Sequence, residues 1–186
     1  MPTVGILALQ GGFEAHAKIM RALGATPTEL RTPADLDGID ALILPGGEST
    51  VMMLGIEREG LAAPLRDTVA SGIPVLATCA GMIILDRDRL GILDVTTRRN
   101  AFGRQLHSFE SEVDVAGIGP VHAVFIRAPW VEDRGDDVEV LAELDGRPIA
   151  IRQGNVLAVA FHPELAGETR LHRALLDGRL GGRPVS

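Results

Sequence analysis

The chain has 186 residues, enough for one domain whose core needs neither metals nor disulfides to hold it. A formal net charge of −7, with arginines dispersed along the chain and no basic run longer than Arg98-Arg99, predicts neither a nucleic-acid-binding nor a membrane surface. The single cysteine excludes an internal disulfide, and the N-terminus MPTVGILALQGG lacks a basic stretch and an apolar run long enough for a signal peptide or a membrane span, so the expected setting is cytoplasmic.

Residues 3–9 (TVGILAL) are an apolar run closed by Gln10-Gly11-Gly12, the pattern of a buried strand and a tight turn. Phe13, Ala17, Met20 and Leu23 recur at helical spacing, and Gly24 ends the run. A second buried strand is predicted over residues 41–44 (ALIL), broken by Pro45-Gly46-Gly47, with helices over 50–56 and 65–70. Residues 74–78 (PVLAT) predict another buried strand, with a helix over 81–85 behind it. The second half reads differently: strands at 113–115, 121–126, 138–141, 149–152 and 156–161 follow one another with short gaps. Gly154-Asn155 is a hairpin-type turn between the last two, and a closing helix covers 168–176. With no repeat, low-complexity tract or linker, residues 1–186 read as a single domain.

Buried strands alternating with helices imply a mostly parallel sheet covered on both faces, and the later strands imply an added antiparallel portion. Sheets of this kind bind ligands at the carboxyl ends of their strands. Three of the apolar strands end in PGGES, CAG and HPE.

Cys79 follows PVLAT and precedes Ala80-Gly81 and a helix. That strand–turn–helix placement resembles a nucleophile elbow, in which a sharp turn lifts the side chain out of the sheet. The helix N-terminus behind it supplies backbone N–H groups and a partial positive charge, a setting that suits a nucleophilic sulfur. Taken alone, Cys79 is equally well a buried structural cysteine. His162 ends the run VLAVAF, and Pro163 biases it toward an extended conformation. On an extended segment His162 and Glu164, two apart, project to the same side. The carboxylate can then orient the imidazole while the second ring nitrogen faces the nucleophile. Alone, this pair is also a strand-end histidine beside a solvated glutamate; its coincidence with the elbow cysteine and a Gly-Gly loop favours catalysis.

In Pro45-Gly46-Gly47-Glu48-Ser49 the glycines allow close backbone approach and positive φ. Backbone N–H groups of Gly47 and Ala80 are the expected oxyanion hole. An ordinary strand-to-helix turn capped by Ser49 or Thr50 is compatible with that role. No Gly-Lys-Ser/Thr follows, which excludes a phosphate P-loop.

LALQGG with His16, LILPGGEST (42–50), TCAGMIIL (78–85), RRNAFGRQ (98–105), SFE (108–110), VFIRAPW (124–130) and FHPEL (161–165) span nearly the whole chain in order. Together they resemble the glutaminase subunits of pyridoxal 5′-phosphate synthases, within the class I (triad) glutamine amidotransferases. The resemblance implies a flavodoxin-like three-layer α/β sandwich that hydrolyses L-glutamine to glutamate and ammonia. It makes Cys79 the nucleophile, His162 the acid/base and Glu164 its orienter. It assigns Gly47, Glu48, Ser49, Arg104, Ile126 and Arg127 to glutamine binding; an arginine fork suits the α-carboxylate, and a surface salt bridge is the alternative for Arg104 and Arg127. It implies a hetero-oligomer with a separate β/α-barrel synthase subunit that receives the ammonia. With no pyridoxal-phosphate lysine site and no metal-ligand cluster, no cofactor is expected for the glutaminase step.

Two departures stand out. Ala77 occupies a position where the family usually has glycine, and alanine resists positive φ, so the strand exit is expected to differ slightly. The stretch 86–91 is shorter than the loop common in relatives. Two rival readings are a glutaminase serving another synthase, such as imidazole glycerol phosphate synthase, and a non-catalytic docking module of the same fold. FGRQ and FIRAP argue against the first, and the intact Cys79, His162 and Glu164 against the second.

Overall fold

A computed structural model describes residues 1–99 and 108–180. In chain order its strands are β1 (Thr3–Leu7), β2 (Thr26–Leu30), β3 (Ala41–Leu44), β4 (Val75–Thr78), β5 (Val95–Arg98), β6 (Ser108–Val115), β7 (Gly119–Ile126), β8 (Trp130–Arg134), β9 (Glu139–Leu144), β10 (Arg147–Gln153) and β11 (Val156–Val159). The helices are α1 (Phe13–Ala22), α2 (Ser49–Arg58), α3 (Ala62–Ala70), α4 (Ala80–Ile84) and α5 (Arg170–Leu176).

Seven strands form the main sheet in the order β2-β1-β3-β4-β11-β10-β9. The first five are parallel, and β10 and β9 are added antiparallel. The strands ALIL, VLAT and VLAV are buried at every position, which is what strands covered on both faces require. The chain winds outward from β1 to β2, then crosses back to place β3 on the other side of β1. That reversal opens a crevice at the carboxyl ends of the strands, where open α/β sheets bind ligands.

The expected mixed architecture is therefore observed, with strands the sequence reading did not include. β2 (TPTEL) is half-exposed, polar and contains Pro27, which an edge strand tolerates and a central one does not. β5 and β8 pair only with each other, and their polar sequences VTTR and WVEDR carry little apolar signal. The strand expected at 113–115 extends from Ser108 and pairs with β7 along eight residues, giving a second ribbon. Phe109 stacks on Phe125 with ring centroids 4.6 Å apart, and Phe125 meets Phe161 at 5.6 Å. These rings fasten the β6–β7 ribbon to the segment that follows β11, each pair adding about 0.5–1.5 kcal/mol beyond area burial. The Gly154-Asn155 turn joins β10 to β11 as expected. The stretch 86–91 is organised around buried Asp86, whose carboxylate accepts from Arg89 and Thr97, both at 2.6 Å.

Candidate active site

The β-ladder runs one residue past β4: the Cys79 N–H donates to the Val159 carbonyl at 2.8 Å. There the chain turns sharply, with Cys79 at φ 49° and ψ −108° and α4 beginning at Ala80. A left-handed φ in a non-glycine residue is strained and is held by its surroundings. Gly81 makes the turn possible, because a Cβ there would lie 2.1 Å from the Leu44 carbonyl oxygen. Ala77 sits in regular register between Leu44 and Ala158, so the concern over its φ falls away; the left-handed residue is the cysteine itself.

The His162 N–H donates to the Val124 carbonyl at 2.8 Å, tying the end of β7 to the histidine. His162 Nδ1 meets Glu164 Oε1 at 2.7 Å. The two do not share a face of an extended segment, as the spacing predicted. Pro163–Leu165 is a 3-10 turn, with Pro163 fitting its first position, and the turn folds Glu164 back onto the imidazole. Burial would lower the His162 pKa. Hydrogen bonds with the Cys79 sulfur and Glu164, and the charges of both, outweigh burial and push it up to about 10. Burial would likewise raise Glu164, but the hydrogen bond to His162 and the neighbouring imidazoles hold it below the usual carboxylate range. The site thus favours an imidazolium paired with a carboxylate.

The Gly-Gly loop closes over this pair. A Cβ on Gly46 would lie 2.4 Å from His162 Cε1 and 3.3 Å from Cys79 Cβ. Neither Gly46 nor Gly47 has positive φ, so close approach and not left-handed backbone is what the glycine at 46 provides. The Gly46 carbonyl accepts from the Gly12 N–H at 2.9 Å. The peptide is trans, so the Gly47 N–H points the opposite way. Ala80, the other expected oxyanion donor, is the first residue of α4, where backbone N–H groups have no intrahelical partner. The cap of α2 is Glu48, not Ser49 or Thr50: its carboxylate accepts from the Thr50 N–H at 3.3 Å, and Ser49 is buried inside the first turn. The Glu48 N–H donates to Gln10 Oε1 at 2.7 Å, a clamp that the reading of Gln10-Gly11-Gly12 as a mere turn missed.

Ile126 places its carbonyl oxygen 3.9 Å from Cys79 Sγ and leaves its side chain 38% exposed. Arg127 follows at φ 46°, also exposed. Arg104 lies outside the described residues. Arg99, five residues before it, donates to Thr50 Oγ1 at 3.2 Å in the first turn of α2. Cys79, His162, Glu164, Gly47, Glu48, Ser49, Ala80, Ile126 and Arg127 thus come together from four separate chain segments. Among the described residues, no group of three or more His, Cys, Asp or Glu is arranged to hold a metal ion, and no helix is long and apolar enough to cross a membrane.

Proteins named pyridoxal 5′-phosphate synthase subunit PdxT are close relatives. The one from Frankia alni is 52% identical over 95% of this chain and 94% of its own length. The one from Mycolicibacterium vanbaalenii is 50% identical over 92% and 95%. A crystal structure described as a glutamine amidotransferase superposes with a TM-score of 0.88 at 45% identity, covering 94% of this chain and 97% of the other. The PurLQS structure from Thermotoga maritima, at 21% identity and a TM-score of 0.71, shares the fold. The SNO glutamine amidotransferase family matches residues 6–178. A match over nearly the whole length, with these relatives beside it, makes the chain a member of the SNO glutamine amidotransferase family.

Proposed function

We propose that this chain, as one domain over residues 1–186, hydrolyses L-glutamine to L-glutamate and ammonia and supplies the ammonia to a β/α-barrel subunit for pyridoxal 5′-phosphate (vitamin B6) biosynthesis. The observation that carries the reading is the strained turn at Cys79 beside an imidazole whose Nδ1 is held 2.7 Å from the Glu164 carboxylate. The names of the relatives support the biosynthetic setting.

In this reading the Cys79 sulfur attacks the carboxamide carbon of glutamine. The carbonyl oxygen becomes an oxyanion, stabilised by backbone N–H groups of Gly47 and Ala80. His162 then protonates the leaving nitrogen, ammonia departs, and a γ-glutamyl thioester remains on Cys79. In the second half, His162 takes a proton from water, the resulting nucleophile attacks the thioester, and glutamate leaves as sulfur is released. Glu164 stays ionised throughout, orients the ring and stabilises its charged form. Gly47, Glu48, Ser49, Ile126 and Arg127, with Arg104, form the glutamine pocket, and the arginines suit its α-carboxylate.

The same reading includes gating by the synthase subunit. The Gly46–Gly47 peptide has one orientation fixed by the bond from Gly12 to the Gly46 carbonyl. Rotating it forfeits that bond, a net cost of about 0.5–1.5 kcal/mol, within reach of a partner pressing on residues 10–12. Exposed Val51, Leu54 and Leu165 beside the site loops give such a partner apolar surface to cover. The test is to measure glutamate release by the isolated chain and with saturating synthase subunit. A rise in kcat on complex formation, lost in Cys79→Ala, is expected. No glutamate release in either state defeats the function, and equal kcat in both defeats the gating.

A further inference from the structure

Glu164 has two carboxylate oxygens, and only Oε1 is engaged by His162. Oε2 is buried and makes no hydrogen bond. Beside it stands His16 of α1, whose Nε2 lies 3.5 Å away and 3.3 Å from Thr78 Oγ1, next to Cys79. His16 Nδ1 meets His172 Nε2 of α5 at 2.8 Å. His16, Thr78 and His172 are all fully buried.

Of the two neutral tautomers of His16, only the one protonated on Nε2 offers Glu164 a donor. A neutral imidazole has one N–H and one bare nitrogen, and an ionised carboxylate only accepts. A bare buried carboxylate oxygen is costly, so the His16 proton belongs on Nε2, facing Glu164. Nδ1 then accepts from the His172 Nε2–H, which leaves His172 Nδ1 bare. That nitrogen is in fact without a formed hydrogen bond, although the Glu168 backbone approaches the ring. Burial lowers the pKa of both histidines, that of His172 to about 3, and so keeps the pair neutral. The groups facing His16 are Glu164 and His162 from the 3-10 segment, His172 from α5 and Thr78 from β4.

We propose that His16, backed by His172, is a positioning residue for the triad: its Nε2–H anchors the second oxygen of Glu164 and fixes the carboxylate plane against His162. A terminal carboxylate torsion is broad, so one hydrogen bond leaves the plane free to swing, and a second removes that freedom. The inference rests on the assignment of Cys79, His162 and Glu164 as the triad.

The test uses two amide substitutions in the full chain assayed with its synthase subunit. The Gln amide nitrogen reaches the place of His Nε2, whereas the Asn amide reaches only that of Nδ1. His16→Asn is expected to lower kcat about tenfold, as loss of outer-shell partners commonly does, with little change in the KM for glutamine. His16→Gln is expected to recover most of that loss. The His162 imidazole, followed by NMR titration, is expected to move to lower pH in His16→Asn and less so in His16→Gln, because a looser Glu164 supports its charge less. Equal activities for the two variants, or an unmoved His162 titration in His16→Asn, overturns the inference. Cys79→Ala and His162→Asn run alongside: if they retain activity, the triad reading fails, not merely the role of His16.

Discussion

Around Cys79 and Glu164, 6% and 8% exposed, every group is placed by the sheet or by a neighbouring backbone. The Cys79 N–H extends the β4–β11 ladder, the His162 N–H is held by β7, and Gly46 packs on the ring. The rim is built otherwise. Gly47, Glu48, Ile126 and Arg127 are exposed, and Arg127 sits in a left-handed conformation just past the end of β7. The contrast teaches how the labour divides. Bond-making needs atoms fixed to within a fraction of an ångström, which packed strand ends deliver. Gripping a small polar substrate needs charged tips that reach into solvent, which loops deliver. Floor substitutions should therefore act on kcat, and rim substitutions on KM.

The largest effect is expected from Cys79→Ala, which should abolish glutamate release while leaving the melting temperature near that of the parent. His162→Asn should be nearly as damaging and Glu164→Gln milder, since the imidazole moves protons in both half-reactions and the carboxylate only orients it. The double variant Cys79→Ala/His162→Asn should be no worse than Cys79→Ala, because triad members act as a unit. If Glu164→Gln cost more than His162→Asn, these roles would be wrong.

Gly46→Ala sharpens the comparison from the floor side without removing a functional group. Its Cβ would meet His162 Cε1 at 2.4 Å, so ring or loop must move. A displacement of about 1 Å at the reacting groups costs on the order of 10²-fold in kcat. Activity within twofold of the parent would show that the loop does not press on the histidine.

On the rim, Arg127→Met and Arg104→Met should each raise KM by an amount equivalent to about 1.5–3 kcal/mol, with kcat little changed. A fall in kcat comparable with the floor variants would break the division. An unchanged KM in both would return the arginines to surface ion pairing.

The smallest effect concerns stability. Burial depresses the His172 pKa to about 3. The unfolded chain takes up a proton near pH 6.5 that the folded chain refuses. The stabilisation is therefore complete above about 6.5 and is lost as pH falls toward about 3, at about 1.4 kcal/mol per pH unit. His162, raised to about 10, has the opposite sign: its contribution is complete below about 6.5 and is lost as pH rises toward about 10. Urea midpoints between pH 7 and pH 5 should fall less steeply in His172→Phe than in the parent. Parallel slopes would assign the acid sensitivity elsewhere.

Much of the fold was legible because its central strands are short apolar runs with abrupt polar or glycine ends. TVGIL, ALIL, VLAT and VLAV announce themselves, whereas TPTEL, VTTR and WVEDR do not, since edges and isolated ribbons bury too little to need apolar residues. The same logic made the strand ends PGGE, CAG and HPE stand out. Glu164 was found for an incomplete reason: adjacency in sequence was enough, but a 3-10 turn and not strand alternation makes the contact.

The sequence by itself determined which residues can be nucleophile, base and orienter, and that each stands at the end of a buried strand, because strand, turn and residue chemistry are encoded within a few neighbours. Only the tertiary structure decided who meets whom. His16 and His172 are 156 positions apart and share a hydrogen bond at 2.8 Å. Ile126 brings a carbonyl to the sulfur of a residue 47 positions earlier. Gly46 must lack a side chain because of His162, which no local pattern near residue 46 reveals. These meetings follow from the order in which strands assemble into one buried sheet. That order is set by the burial of the whole apolar surface and by the crossover at β1, and so by no single stretch of the chain.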